Sequence, residues 1–143
     1  MALAHLDLER PSQSGTFRVF IAASSRAAPI SRKLDDVLRS NQFDDFEPMH
    51  WHDSFSAGQF TLPRLLDIAR TCDFAIFVFA PDDLREREHG QEDITRDNVV
   101  LEFGMFTAFN GSERSAIFMQ DGVTLPSDTS GLSVETYPAP ADY

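Results

Sequence analysis

Short apolar runs alternate along this chain with longer stretches whose apolar positions recur at helical spacing, which predicts strands and helices in turn. Phe17 to Ala22 (FRVFIA) reads as a first strand, mostly apolar on both faces, and Ala23-Ser24-Ser25-Arg26 as the polar turn after it. Pro29 suits the first turn of a helix on which Ile30, Leu34, Val37 and Leu38 share a face. Phe46 to Trp51 (FEPMHW) is a second strand, and Pro48, which has no N–H to donate, assigns it to a sheet edge. Thr61 is placed to cap a second helix with Leu62, Leu65, Leu66 and Ala69 on its apolar side. Phe74 to Phe79 (FAIFVF) is apolar without alternation, the mark of a strand covered on both sides.

The charged stretch Leu84 to Asp97 has no clear period and reads as a loop. A third helix starts around Arg96-Asp97-Asn98 and reaches Phe109 before an Asn110-Gly111 stop. Val99, Phe103, Phe106 and Asn110 fall on one stripe of it, and Asn98 and Glu102 on a neighbouring stripe. Ser115 to Met119 is a fourth strand; a turn-rich connection, Gln120 to Gly131, leads to a short fifth strand near Leu132 to Tyr137. This alternation implies an α/β fold, a five-stranded parallel sheet with helices on both faces. An edge position for the second strand agrees with the flavodoxin-like order 2-1-3-4-5, in which ligands bind at the carboxyl ends of strands one and three.

Composition narrows the function classes. The 143 residues suffice for one domain with a core that needs no staples. A formal charge of -11 argues against direct nucleic-acid or anionic-membrane partners. The lone cysteine, Cys72, supports no disulfide framework; it fits a reducing cytoplasm and reads as a small core residue. No apolar run reaches membrane-spanning length, and residues 1–16 read as a loose leader rather than a signal peptide. The Pro138-Ala139-Pro140 ending reads as the start of a linker, 138–143, into a second domain.

Candidate chemistry centres on Glu102, the single charge in an apolar run, Val99 to Phe106. A carboxylate there must find a partner, neutralise, or face a wet cleft; the plain alternative is pairing with a nearby Arg or capping its own helix. Ser24, Ser25 and Arg26 follow the first strand, where a helix start holds a diphosphate or the segment is merely a polar turn. Asp82 and Asp83 end the third strand, as ribose ligands or turn residues. Arg96 is a phosphate or Glu102 partner or an exposed loop Arg, and Asn98 a helix cap or a ligand contact. Trp51 and Phe55 open the segment after the second strand and, on the plain reading, line the core rim. His50-Trp51-His52-Asp53 lacks a convincing third ligand for a metal, and Gly104 reads as a site of close helix packing.

Four segments together resemble a TIR domain: Val19 to Ser25, Cys72 to Phe79 with Pro81-Asp82-Asp83, Arg96 to Gly104, and Leu125 to Asp128. The closest likeness is to the bacterial group fused to cyclic-nucleotide sensors in antiphage signalling, including TIR–STING effectors, and it covers residues 17–137. The resemblance implies a TIR fold and an NAD+ nucleosidase in which the residue matching Glu102 is catalytic. NAD+ is then substrate and no cofactor is needed. It also implies TIR–TIR self-association, in which the loop after the second strand completes a neighbour's site, with Trp51 and Phe55 stacking on a nucleotide ring or packing the neighbouring subunit, and activation through a cyclic-nucleotide-binding domain. Some eukaryotic TIR NAD-hydrolases carry an aromatic four positions before that Glu, where this chain has Asn98. Non-enzymatic TIR adaptors generally lack the Glu, and a base-exchange or nucleoside-hydrolase relative would share it on another substrate.

Overall fold

Strand runs that are apolar at nearly every position fold here as strands buried on both sides over most of their length. β1 (Phe17–Ala23) and β3 (Phe74–Phe79) lie side by side in the middle of a five-stranded sheet. The computed structural model describes residues 15–24, 26–40, 42, 44–50, 62–81, 96–123 and 132–139, of which 96–98 only by their backbone. The remaining elements are α1 (Ala28–Leu38), β2 (Phe46–His50), α2 (Leu62–Thr71), α3 (Arg96–Asn110), β4 (Ser115–Gln120) and β5 (Ser133–Tyr137). The sheet order is β2-β1-β3-β4-β5 with every pair parallel, the order expected from sequence. Thr61 and the stretch 84–95 fall outside the described residues.

The two-residue repeat of the strands sorts the core into two layers. Phe20, Ala22, Ala75, Phe77, Phe79 and Ile117 face α2 and α3, whose Ile68, Ala69, Val99 and Phe106 close over them. Ala23, Val78 and Ala80 face the other way, with Ala27, Ile30 and Leu34 of the α1 segment and with Tyr137 of β5. Helices therefore cover both faces. Each of Phe20, Phe77 and Phe106 is fully buried, a contribution of roughly 1.5–3 kcal/mol apiece. The Phe77 ring meets Phe103 edge-on at 5.2 Å and Phe106 at 6.2 Å.

The sheet edge at β2 confirms the reading of Pro48. Arg39 Nη2 donates to the Pro48 carbonyl at 3.1 Å, so the backbone polar groups of residue 48 point away from β1. The N–H that proline lacks would have faced the open edge, and no ladder bond is lost. At the other end of α3, Gly111 takes φ 84, the left-handed conformation that ends the helix, and its N–H reaches the Thr107 carbonyl at 2.9 Å. Asn110 Nδ2 donates to the Ala69 carbonyl at 2.6 Å and ties α3 to α2.

Several helix faces differ from the sequence expectation. On α1 the buried position is Ser31, while Val37 is half exposed. On α2 Leu62 lies exposed and Ile68 takes a core position that periodicity did not assign to it. Gly104 is exposed and a Cβ there would meet nothing within 4 Å, so it serves no close packing. The reason is common to all three: which side of an apolar helix is buried depends on the strand beneath it, not on the helix's own spacing.

Candidate active site

α3 begins beyond the carboxyl end of β3 and returns across β1, β3 and β4. Glu102 sits in its second turn, about 9 Å along the axis from the helix start. Its neighbours at i−3 and i+4, Val99 and Phe106, are both in the core, so the carboxyl lies on the buried side of the helix and is only 3 % exposed. The stripe predicted from sequence centred on Phe103; the observed one is rotated toward Glu102, with Phe103 only partly buried. Among the described residues no basic side chain forms an ion pair with Glu102, which sets aside the plain alternative of an Arg–Glu pair within that set. Burial alone pushes its carboxyl from 4.5 up to about 8. Among the described residues, then, nothing offsets the burial that disfavours its ionised form.

The first strand's turn is also built as a support. Ser24 is buried, and its Oγ accepts the N–H of Ala27 at 3.3 Å, fixing the chain as it enters α1. Ser24's side chain thus takes part in the turn. Arg26 beside it is exposed. Asn98 is not the helix cap: α3 starts at Arg96, so residue 98 is already in the first turn. The side chains of Arg96 and Asn98, and the whole of Ser25, Trp51, Phe55, Asp82 and Asp83, lie outside the described residues. Among the candidates, then, Glu102, Ser24 and Arg26 are placed, at the carboxyl-end turn of β1 and on the helix that crosses it.

Two supporting contacts carried no clear signal in the sequence. Ser31 donates its O–H to the Ala28 carbonyl at 3.0 Å, so His50 Nε2, 2.9 Å away, donates to Ser31 Oγ. This buried pair fixes the last residue of β2, directly before the segment 51–61. Its one trace in sequence is a serine within the apolar stripe of α1. Replacing Ser31 by Ala leaves the buried imidazole N–H without this acceptor and is expected to cost about 1–3 kcal/mol in urea unfolding. A variant as stable as wild type would show that the pair adds nothing. Asp73 is the second contact: its Oδ2 accepts the Arg18 N–H and its own N–H reaches the Arg18 carbonyl, both at 2.8 Å, locking β3 to β1.

The remaining reactive groups have structural explanations. Cys72 is buried as expected, and desolvation pushes its thiol up to about 11, far from a nucleophilic thiolate. Among the described residues no group of three His, Cys, Asp or Glu side chains is placed to hold a metal. Among them, too, no helix is long and apolar enough to cross a membrane.

Comparison with known proteins agrees with the fold. The family described as "CAP12/Pycsar effector protein, TIR domain" matches residues 18–139. A CD-NTase-associated protein 12 of Sphingobacterium faecium is 32 % identical over 120 residues, 84 % of this chain and 36 % of its own length. The Pycsar effector protein PaPycTIR of Pseudomonas aeruginosa is 33 % identical over 133 residues, 92 % of this chain and 42 % of its own. XpPycTIR of Xanthomonas perforans is 34 % identical over 129 residues, 88 % of this chain and 42 % of its own. The chain thus spans about two fifths of the length of these relatives. With the parallel 2-1-3-4-5 sheet and a family match across nearly all of it, this chain belongs to the CAP12/Pycsar effector TIR-domain family.

Proposed function

We propose that the domain cleaves the bond between nicotinamide and ribose in NAD+, with Glu102 as the catalytic residue. The observation that carries this reading is a carboxyl buried to 3 % in an apolar helix, without a basic partner among the described residues. Such a group is costly as an anion and therefore selective for a cation. NAD+ brings one, the pyridinium ring. As the glycosidic C–N bond breaks, its electron pair returns to the ring nitrogen and nicotinamide leaves neutral, with no acid needed to protonate it. Positive charge passes to the ribose as an oxocarbenium ion, which Glu102, its proton given up to solvent as the cationic substrate binds, stabilises by at least ~3 kcal/mol. Water then adds its oxygen to the sugar carbon and releases a proton. One carboxylate suffices where ordinary glycosidases need two. A ribosyl hydroxyl or ring nitrogen could replace water and give a cyclised product by the same first step.

Kinship with the CD-NTase-associated and Pycsar effectors supports a setting in antiviral defence. In that setting a cyclic-nucleotide-binding domain drives assembly of the TIR domains, each completing its neighbour's site through the segment after β2. The domain on its own is then weakly active. A second reading, a TIR module that assembles without catalysis, draws on the apolar outer face of α3, where Val100, Leu101 and Phe109 stand exposed. Fluorescence release from etheno-NAD+ at high protein concentration separates the two. Turnover that depends on Glu102 supports cleavage; equal and negligible rates for wild type and Glu102→Gln, even in a forced assembly, favour the module.

A further inference from the structure

The outer edge of the sheet holds a concavity of about 310 Å³ whose lining, among the described residues, shares none with α3. Three arginines reach it from three elements: Arg18 from β1, Arg39 from just past α1, and Arg64 from α2. Among the described residues one carboxylate, Glu47, lines it with them, and Pro48 and Met49 supply an apolar wall. That balance is unexpected for this chain. Acidic residues outnumber Lys and Arg 23 to 12, so an arbitrary concavity should be lined mainly by carboxylates. Gathering three like charges around one space is unfavourable unless something negative enters it.

Protection of the sheet edge accounts for one arginine. Arg39 is held by Asp35 Oδ2 at 2.9 Å and donates to the Pro48 carbonyl, which blunts the edge by itself. Arg64 is different: among the described residues no carboxylate lies within ion-pair distance of it. Arg18 meets Glu47 only at 3.5 Å, with both side chains well exposed, an arrangement that an incoming anion displaces at little cost. The edge is also closed to an added peptide strand, because at residue 48 there is no N–H to donate and the carbonyl is already taken. A small molecule therefore fits better than an extended chain. Guanidinium forks arriving from several directions match an anion with many oxygens rather than one carboxylate. The volume lies at the lower end of the range of small-molecule sites.

We propose that this edge pocket binds a diphosphate-bearing small molecule, with Arg64 and Arg18 as its principal ligands and Arg39 as a fixed flank. The site is independent of NAD+ cleavage and stands or falls apart from it. Methionine methyl NMR tests it directly, because Met49 lines the pocket while Met105 and Met119 lie on α3 and β4. At constant ionic strength, inorganic pyrophosphate should shift the Met49 methyl saturably and leave Met105 and Met119 in place. Arg64→Ala should weaken that binding by about tenfold or more. Arg70→Ala, an exposed arginine on the same helix outside the pocket, should leave it unchanged. Unmoved Met105 and Met119 resonances in the Arg64 variant show that it is folded. ADP tested beside pyrophosphate distinguishes the sources: tighter binding assigns the ligand to the nucleotides, equal binding to inorganic diphosphate. A Met49 shift that never saturates, or an Arg70 variant as impaired as the Arg64 variant, overturns the proposal in favour of diffuse charge.

Discussion

Glu102→Gln is expected to lower NAD+ cleavage by about 10²–10³-fold and, at the same time, to make the folded domain more stable above neutral pH. The two effects share one cause. Below pH 4.5 the carboxyl is protonated in both folded and unfolded chains, and it contributes no pH dependence. Between 4.5 and about 8 the unfolded chain ionises while the buried group does not, so stability falls by ~1.4 kcal/mol for each pH unit. Above about 8 the loss is complete and constant. Glutamine has the same shape and no proton to lose, although its amide is also buried at some cost. The variant's stability relative to wild type should therefore be about 4–5 kcal/mol more favourable at pH 9 than at pH 4. Urea midpoints at the two pH values measure this. A variant less stable than wild type at both would mean that the carboxylate is bonded in the folded protein.

The pH profile of turnover should carry the same signature. In the free domain the competent, ionised form is the minor one until the pH passes about 8. The specificity constant kcat/KM should accordingly rise about tenfold per pH unit below about 8, level off above it, and gain about 100-fold in all between pH 6 and 9. The profile of kcat reports the substrate complex instead, where the pyridinium and the forming oxocarbenium favour the ionised carboxyl. Its inflection should lie at lower pH. The gap between the two inflections measures how strongly substrate and carboxylate interact. Coincident inflections near the ordinary glutamate value would show a solvated carboxylate that plays no part in the selectivity described here.

Most of the fold was legible because the centre of its sheet is buried on both faces. A run such as Phe74 to Phe79 has few other places to go, and Pro48 excludes its strand from the interior of the sheet. Glu102 stood out for a related reason, a charge where every neighbour is apolar. What could not be read was how each helix is rolled on the sheet. α3 is apolar on every side, so its spacing left the choice between Phe103 and Glu102 to the strands beneath it. Leu62 and Ile68 exchanged roles on α2 for the same reason. The Ser31–His50 bond joins positions 19 residues apart and depends on α1 lying over β2, which no local pattern encodes. The arginine pocket is a further case, since Arg18, Arg39 and Arg64 are scattered in sequence and meet only around the folded edge.

The most direct measurement is the titration of the Glu102 carboxyl itself, followed by its ¹³C shift and identified by its absence from Glu102→Gln. It should be made with and without a carba analogue of NAD+, which keeps the pyridinium charge and cannot be cleaved. The expected result is a midpoint near 8 in the free domain that falls by about one pH unit or more with the analogue bound in the assembled state. A midpoint at the ordinary glutamate value, or one indifferent to the analogue, would contradict a buried acid poised for a cationic substrate.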